Sequence, residues 1–127
     1  MAIDGNTLLS MVGRLLLGGL FVYGGIHHLF NIPRLTHAVA ARGMPAAKAV
    51  LLAGTALQTI AGVALILNVY TYWAAWGLIV FTVAALILLV NFWDMEGDAR
   101  EGAIRAWWSN SAIIGGLLIA AANSPSP

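Results

Sequence analysis

Four apolar runs limit what this chain can become: residues 8–30, 49–69, 73–93 and 104–122. Each holds roughly the 20 residues with which a helix crosses about 30 Å of hydrocarbon. No water at that depth satisfies backbone N–H and C=O groups, so helices are the only open-chain solution. A soluble helical bundle would need a polar stripe along every run, and the chain is 61% hydrophobic and only 9% charged over its 127 residues. The sequence therefore predicts an all-α integral membrane protein. It reads as a single up-down four-helix bundle over residues 1–127, with a polar, disordered tail at 123–127. The first run opens beside Asp4 without a basic cluster, is long, and meets no small-x-small site before His27 and His28. It reads as a retained helix, not a cleaved leader.

The connections set the expected orientation. Residues 31–48 form a basic loop with Arg34, His37, Arg42 and Lys48, and an interfacial helix is expected near residues 35–41. Residues 70–72 are a tight aromatic turn. Residues 94–105 mix Asp94, Glu96, Asp98 and Glu101 with Arg100 and Arg105. The first and third connections hold five of the six Lys/Arg residues, which puts them on the cytoplasmic side of a bacterial-type inner membrane and both termini outside. Trp and Tyr cluster at the expected helix ends, where interfacial aromatics sit.

Several chemistries are disfavoured outright. There is no cysteine for a thiol relay, an iron–sulfur cluster or a Cys-ligated zinc. The three histidines, His27, His28 and His37, sit at one end of the first run or just after it, so two axial haem ligands on different helices are not available within one chain. No metal, intrinsic cofactor or nucleic-acid partner is expected. A proton-coupled transporter is a distant alternative, because no Asp or Glu lies inside a run.

The polar residues at membrane depth are Arg14, Gln58 and Asn110. An Arg at a helix centre costs about 2.5 to 3.5 kcal/mol on insertion, so something must compensate it. Arg14, Gly18, Phe21, Gly25 and His28 recur at spacings of four and three, which places them on one stripe of the first helix. That stripe is expected to face the bundle, with a helix-end group, a carbonyl or Gln58 as acceptor for Arg14; snorkelling to the near interface is the alternative. Thr55, Gln58 and Gly62 share a face of the second helix. Ala112, Gly116 and Ala120 form a small-residue seam on the fourth. His28, Asn91, Trp93 and Asn110 are expected at one membrane boundary and are the candidate ligand site, with His28 or Asn110 donating and Trp93 as a flat wall. The plainer alternative is that Asn110 ties or caps its helix and the others are interfacial.

Arg14 followed by Gly18-Gly19 and Gly24-Gly25 before His28, then Asn91-Phe92-Trp93, then Ser109-Asn110 followed by Gly115-Gly116-Leu117-Leu118, together resemble the DoxX family pattern over nearly the whole chain. The resemblance implies a small four-helix membrane protein. The family takes its name from a relative that forms part of a thiosulfate:quinone oxidoreductase, and other relatives are implied to be membrane partners or assembly factors of redox enzymes. Three positions depart from the pattern. Gln58 stands where an acidic residue is frequent, Val90-Asn91 where a His commonly precedes Phe-Trp, and Ser109 where a Lys precedes the Asn.

Two function classes follow. The chain is a membrane subunit or partner that scaffolds or assembles a larger, respiratory or redox complex, as a homo-oligomer or with another protein. Alternatively, it is an oxidoreductase subunit that binds a quinone in the bundle. No self-sufficient catalytic constellation is present in the sequence.

Overall fold

The computed structural model describes residues 5–124. Among them the chain is all helical: α1 Gly5–Leu29, α2 Ile32–Ala41, α3 Ala47–Leu67, α4 Thr71–Leu89, a single 3-10 turn Phe92–Asp94, and α5 Gly97–Ala122. Asp4 and the last part of the expected polar tail, 125–127, lie outside the described residues.

Beside the four long helices stands a fifth, α2, because the first connection folds into the short helix expected near residues 35–41. Pro33 suits its first turn, where a missing N–H costs nothing. Three helical segments are long and apolar enough to cross a membrane: Thr7–Leu29, Ala47–Leu67 and Thr71–Asp94. α5 is as long as any of them, but Asp98, Arg100, Glu101 and Arg105 occupy its first nine residues. Its uncharged part, 106–122, rises about 25 Å.

Boundaries moved at two places that matter. α4 stops at Leu89, so Asn91 and Trp93 belong to the short turn that follows and not to the end of a spanning helix. α5 begins at Gly97, whose φ of 62° suits a residue without a Cβ, so most of the third connection is its first turns. The α3–α4 link is tight: Asn68 and Tyr70 both take left-handed backbone, and the Thr71 hydroxyl donates to the Asn68 side-chain oxygen.

Packing follows from small residues. Gly18 on α1 and Gly62 on α3 meet back to back: a Cβ on Gly62 would lie 2.9 Å from the Gly18 carbonyl oxygen. Lipid tails are as apolar as leucine, so such close backbone approach is what holds helices together in a bilayer. Leu65, Leu78 and Leu117, one each from α3, α4 and α5, are the fully buried centre, and Phe21 from α1 joins them. Phe21 also meets the Phe81 ring edge to face at 6.5 Å. On α1, Leu8, Leu9, Leu15 and Leu16 remain exposed, as a lipid-facing surface requires.

Candidate ligand site

The helices part at both ends of this packed centre. Where α1 and α4 stop and α3 starts, they surround a cavity of about 490 Å³. Its walls are mostly aliphatic and aromatic: Leu20 and Phe21 from α1, Val50, Leu51 and Gly54 from α3, Phe81 and Leu86 from α4, Ile113 from α5. α2 covers it with Leu35 and Val39, and Val39 is only 2% exposed. Five uncharged polar side chains interrupt this lining: His28, Thr55, Gln58, Thr82 and Asn110.

Each is placed by local sequence. Gln58 stands opposite Gly24, and any side chain at that glycine would collide with the Gln58 amide. Gln58 is 5% exposed, and its Oε1 has no hydrogen-bond partner among the described residues. Thr82 is 3% exposed, and its hydroxyl is likewise unpaired. A threonine inside a helix ordinarily returns its hydroxyl to the carbonyl one turn back, so this one is free to serve the cavity. His28 brings a buried, unpaired Nδ1. Asn110 donates one amide N–H to the Ala106 carbonyl at 2.8 Å, which fixes its side chain along its own helix. A buried unpaired acceptor or donor costs about 1–3 kcal/mol, so three on one cavity are a substantial standing cost.

The roof is latched. Arg42, at the end of α2, donates from Nε to the Leu88 carbonyl at 2.8 Å and lies 3.8 Å from the Asp94 carboxylate. Leu88 belongs to the last turn of α4, whose carbonyls have no intrahelical partner. Trp107 Nε1 donates to the Val90 carbonyl at 2.6 Å and binds α5 to the same chain end.

The four residues anticipated as one site thus divide. His28 and Asn110 line the same cavity. Asn91 does not reach it and sits 3.4 Å from Asp94 through its amide. Trp93, 49% exposed, packs against Phe92 and Trp107 in an aromatic cluster outside it, so it does not form the flat wall expected of it. α4 ends at Leu89, so both residues lie in the chain that follows it, and neither lines the cavity. Gln58, expected as a polar residue at membrane depth, is buried and lines the cavity as well. The sequence does not single out Thr82 or the role of α2 as a roof; a hydroxyl at mid-helix in the most apolar helix, away from Thr71 and Tyr72 at its start, is the available signal for Thr82.

Arg14 lies far from Gln58. Its Nη1 donates to Ser10 Oγ at 2.7 Å, one turn back along α1, so the expected interhelical acceptor is replaced by a hydroxyl of its own helix. It lines a separate crevice at the opposite end, of about 720 Å³. Among the described residues no three of His, Asp and Glu come together as a metal site would need.

The DoxX family model matches residues 9–91. The chain is similar to the inner membrane protein YphA of Escherichia coli (strain K12), with 22% identity over 120 residues, 94% of this chain and 86% of that one. No solved structure gives a significant match. With its family match running from the first turns of α1 past the end of α4, and with apolar helices of spanning length beneath it, the chain belongs to the DoxX family of membrane proteins.

Proposed function

We propose that this protein binds a lipid-soluble, carbonyl-bearing molecule of the quinone class in the cavity beneath α2. The observation that carries this reading is the set of unpaired polar atoms in an otherwise apolar chamber: Gln58 Oε1, Thr82 Oγ1 and His28 Nδ1. A quinone carbonyl accepts hydrogen bonds, and the hydroxyl of its reduced form donates them. Thr82 and His28 can play either part, and Gln58 Oε1 accepts. The cavity volume lies within the range of small-molecule sites, and no lining residue carries a fixed charge to repel a neutral ring.

In this reading α5 is the fourth crossing, through residues 106–122, and the bundle alternates direction. The relative's name supports an inner-membrane location. Arg34, Arg42, Lys48, Arg100 and Arg105 at one end support a cytoplasmic α2 side, with both termini outside. A reporter fused after Pro127 is then active outside the cytoplasm and silent inside it; the reverse pattern inverts the orientation. The helices account for nearly all described residues, so little soluble mass remains for a redox centre. That favours a subunit role, in which a protein partner supplies the chemistry and this chain holds the ligand.

The test is extraction of the purified protein with organic solvent and chromatography of the extract. A quinone present at close to one equivalent, and lost from a Gln58→Leu, Thr82→Val variant that purifies normally, is the expected result. Equal quinone content in wild type and variant removes the reading. A stoichiometric protein without any quinone replaces it with scaffolding alone.

A further inference from the structure

The crevice at the opposite end carries a second, independent site. It opens where α1 begins, α3 passes into α4 and α5 ends, and Arg14 faces it. The guanidinium has five N–H donors and stays charged in any protein environment. One is used on Ser10, while the buried Nε–H has no acceptor among the described residues. The polar groups around it include Ser10, Asn68, Thr71 and Asn123, hydroxyls and amides without charge. Four of the five acids, Asp94, Glu96, Asp98 and Glu101, belong to the far end of the bundle, and the fifth, Asp4, lies outside the described residues. Along α5 alone, Glu101 is about 22 Å from Gly116, which lines the crevice.

A fixed positive charge is thus set in a frame of neutral hydrogen-bonding groups, with no carboxylate among the described lining residues. Hydroxyls and amides solvate a cation without balancing it, whereas an oxyanion does both. Depth agrees with this. Arg14 lies about 10 Å along the helix from Thr7, where the spanning segment starts, and its reach back to Ser10 carries the charge toward headgroup level.

We infer that this crevice binds a phosphate oxyanion, either the headgroup of an anionic phospholipid or free phosphate. Arg14 is its charged donor, and the side-chain amide N–H groups of Asn68, whose oxygen is held by Thr71, and of Asn123 complete the rim.

The test uses the full chain in nanodiscs of phosphatidylcholine with and without phosphatidylglycerol, and in phosphatidylcholine with added inorganic phosphate. Retained lipid is read by native mass spectrometry and thermal unfolding alongside it. The wild type should keep phosphatidylglycerol in preference to phosphatidylcholine, and Arg14→Gln should lose that preference about tenfold. If phosphate displaces the retained lipid and raises the melting temperature by itself, the site takes the free ion; if it does neither, the site takes the headgroup. Equal retention by wild type and Arg14→Gln overturns the inference, as does a wild type that responds to neither source. Should Arg14→Gln fail to purify, Arg14→Lys is read in its place; it keeps the charge but loses the planar fork, and undiminished retention by it counts against the site. Asp4→Asn should leave retention unchanged. A several-fold gain in that variant would mean that the chain already neutralises Arg14, and would also overturn the inference.

Discussion

At the α2 end the helices part around a chamber whose polar groups are all uncharged, and at the other end they part around a crevice whose central group is a permanent cation. The chamber lies deeper, since Gln58 sits near the middle of α3, while Arg14 stands near the start of its spanning segment. The difference follows the cost of burial. Interhelical amides are tolerated at depth, where each contributes about 0.6 kcal/mol when paired, but a guanidinium is affordable only within reach of the headgroups. The two ends differ in closure as well. α2 roofs the chamber and Arg42 holds it down, whereas among the described residues nothing comparable covers the Arg14 crevice.

The change with the largest expected effect removes what both ends share. Gly62→Leu drives a side chain into the Gly18 carbonyl and the Val22 side chain, so α1 and α3 must separate. A loss of about 3 kcal/mol is expected, and ligand retention at both ends should fall together. Thermal unfolding by circular dichroism in detergent checks the first part; a stable variant that loses only one ligand would show that the ends do not depend on a common seam.

Next in size, Thr82→Val exchanges an unpaired buried hydroxyl for a methyl of nearly the same shape. Stability should hold or rise by about 1 kcal/mol, while quinone affinity falls several-fold and phospholipid retention stays constant. A drop in stability would mean that the hydroxyl is satisfied in the folded protein. Arg42→Leu releases the roof at a cost of about 1 kcal/mol, because its partners are a carbonyl and an exposed carboxylate. Hydrogen exchange should then quicken in α2 and not in α1 or α3. The smallest effect is expected from Trp93→Leu, within about 0.5 kcal/mol, with chamber binding unaltered. A clear loss of chamber ligand in that variant would return Trp93 to the site.

What the sequence disclosed was governed by periodicity and depth. The Gly18 and Phe21 stripe, the Thr55, Gln58 and Gly62 face and the apolar runs are local patterns, and they carry the α1–α3 packing almost unaided. His28 and Asn110 were legible because polar residues at membrane depth are few. Asn91 and Trp93 were misjudged for a different reason. Where an apolar helix stops is decided by tertiary competition, here the Trp107 hydrogen bond to Val90 and the Phe92, Trp93 and Trp107 cluster, which no local pattern encodes. The α2 roof was hidden in the same way. An amphipathic turn between two spans reads as interfacial, and only the long-range contact of Arg42 with Leu88 discloses that it closes a chamber. Arg14 shows a third limit, since its stripe was visible and its partner Ser10 was not.

The central claim is that the unpaired groups beneath α2 hold a carbonyl-bearing lipid, with Gln58 the deepest of them. Titration of a short-chain quinone in its reduced form, whose hydroxyl can donate to Gln58 Oε1, into nanodiscs containing wild type or Gln58→Leu, followed by quenching of tryptophan fluorescence, tests it most directly. The wild type should saturate, and Gln58→Leu should bind about tenfold more weakly while melting no lower. Identical saturation curves for the two proteins would contradict the account.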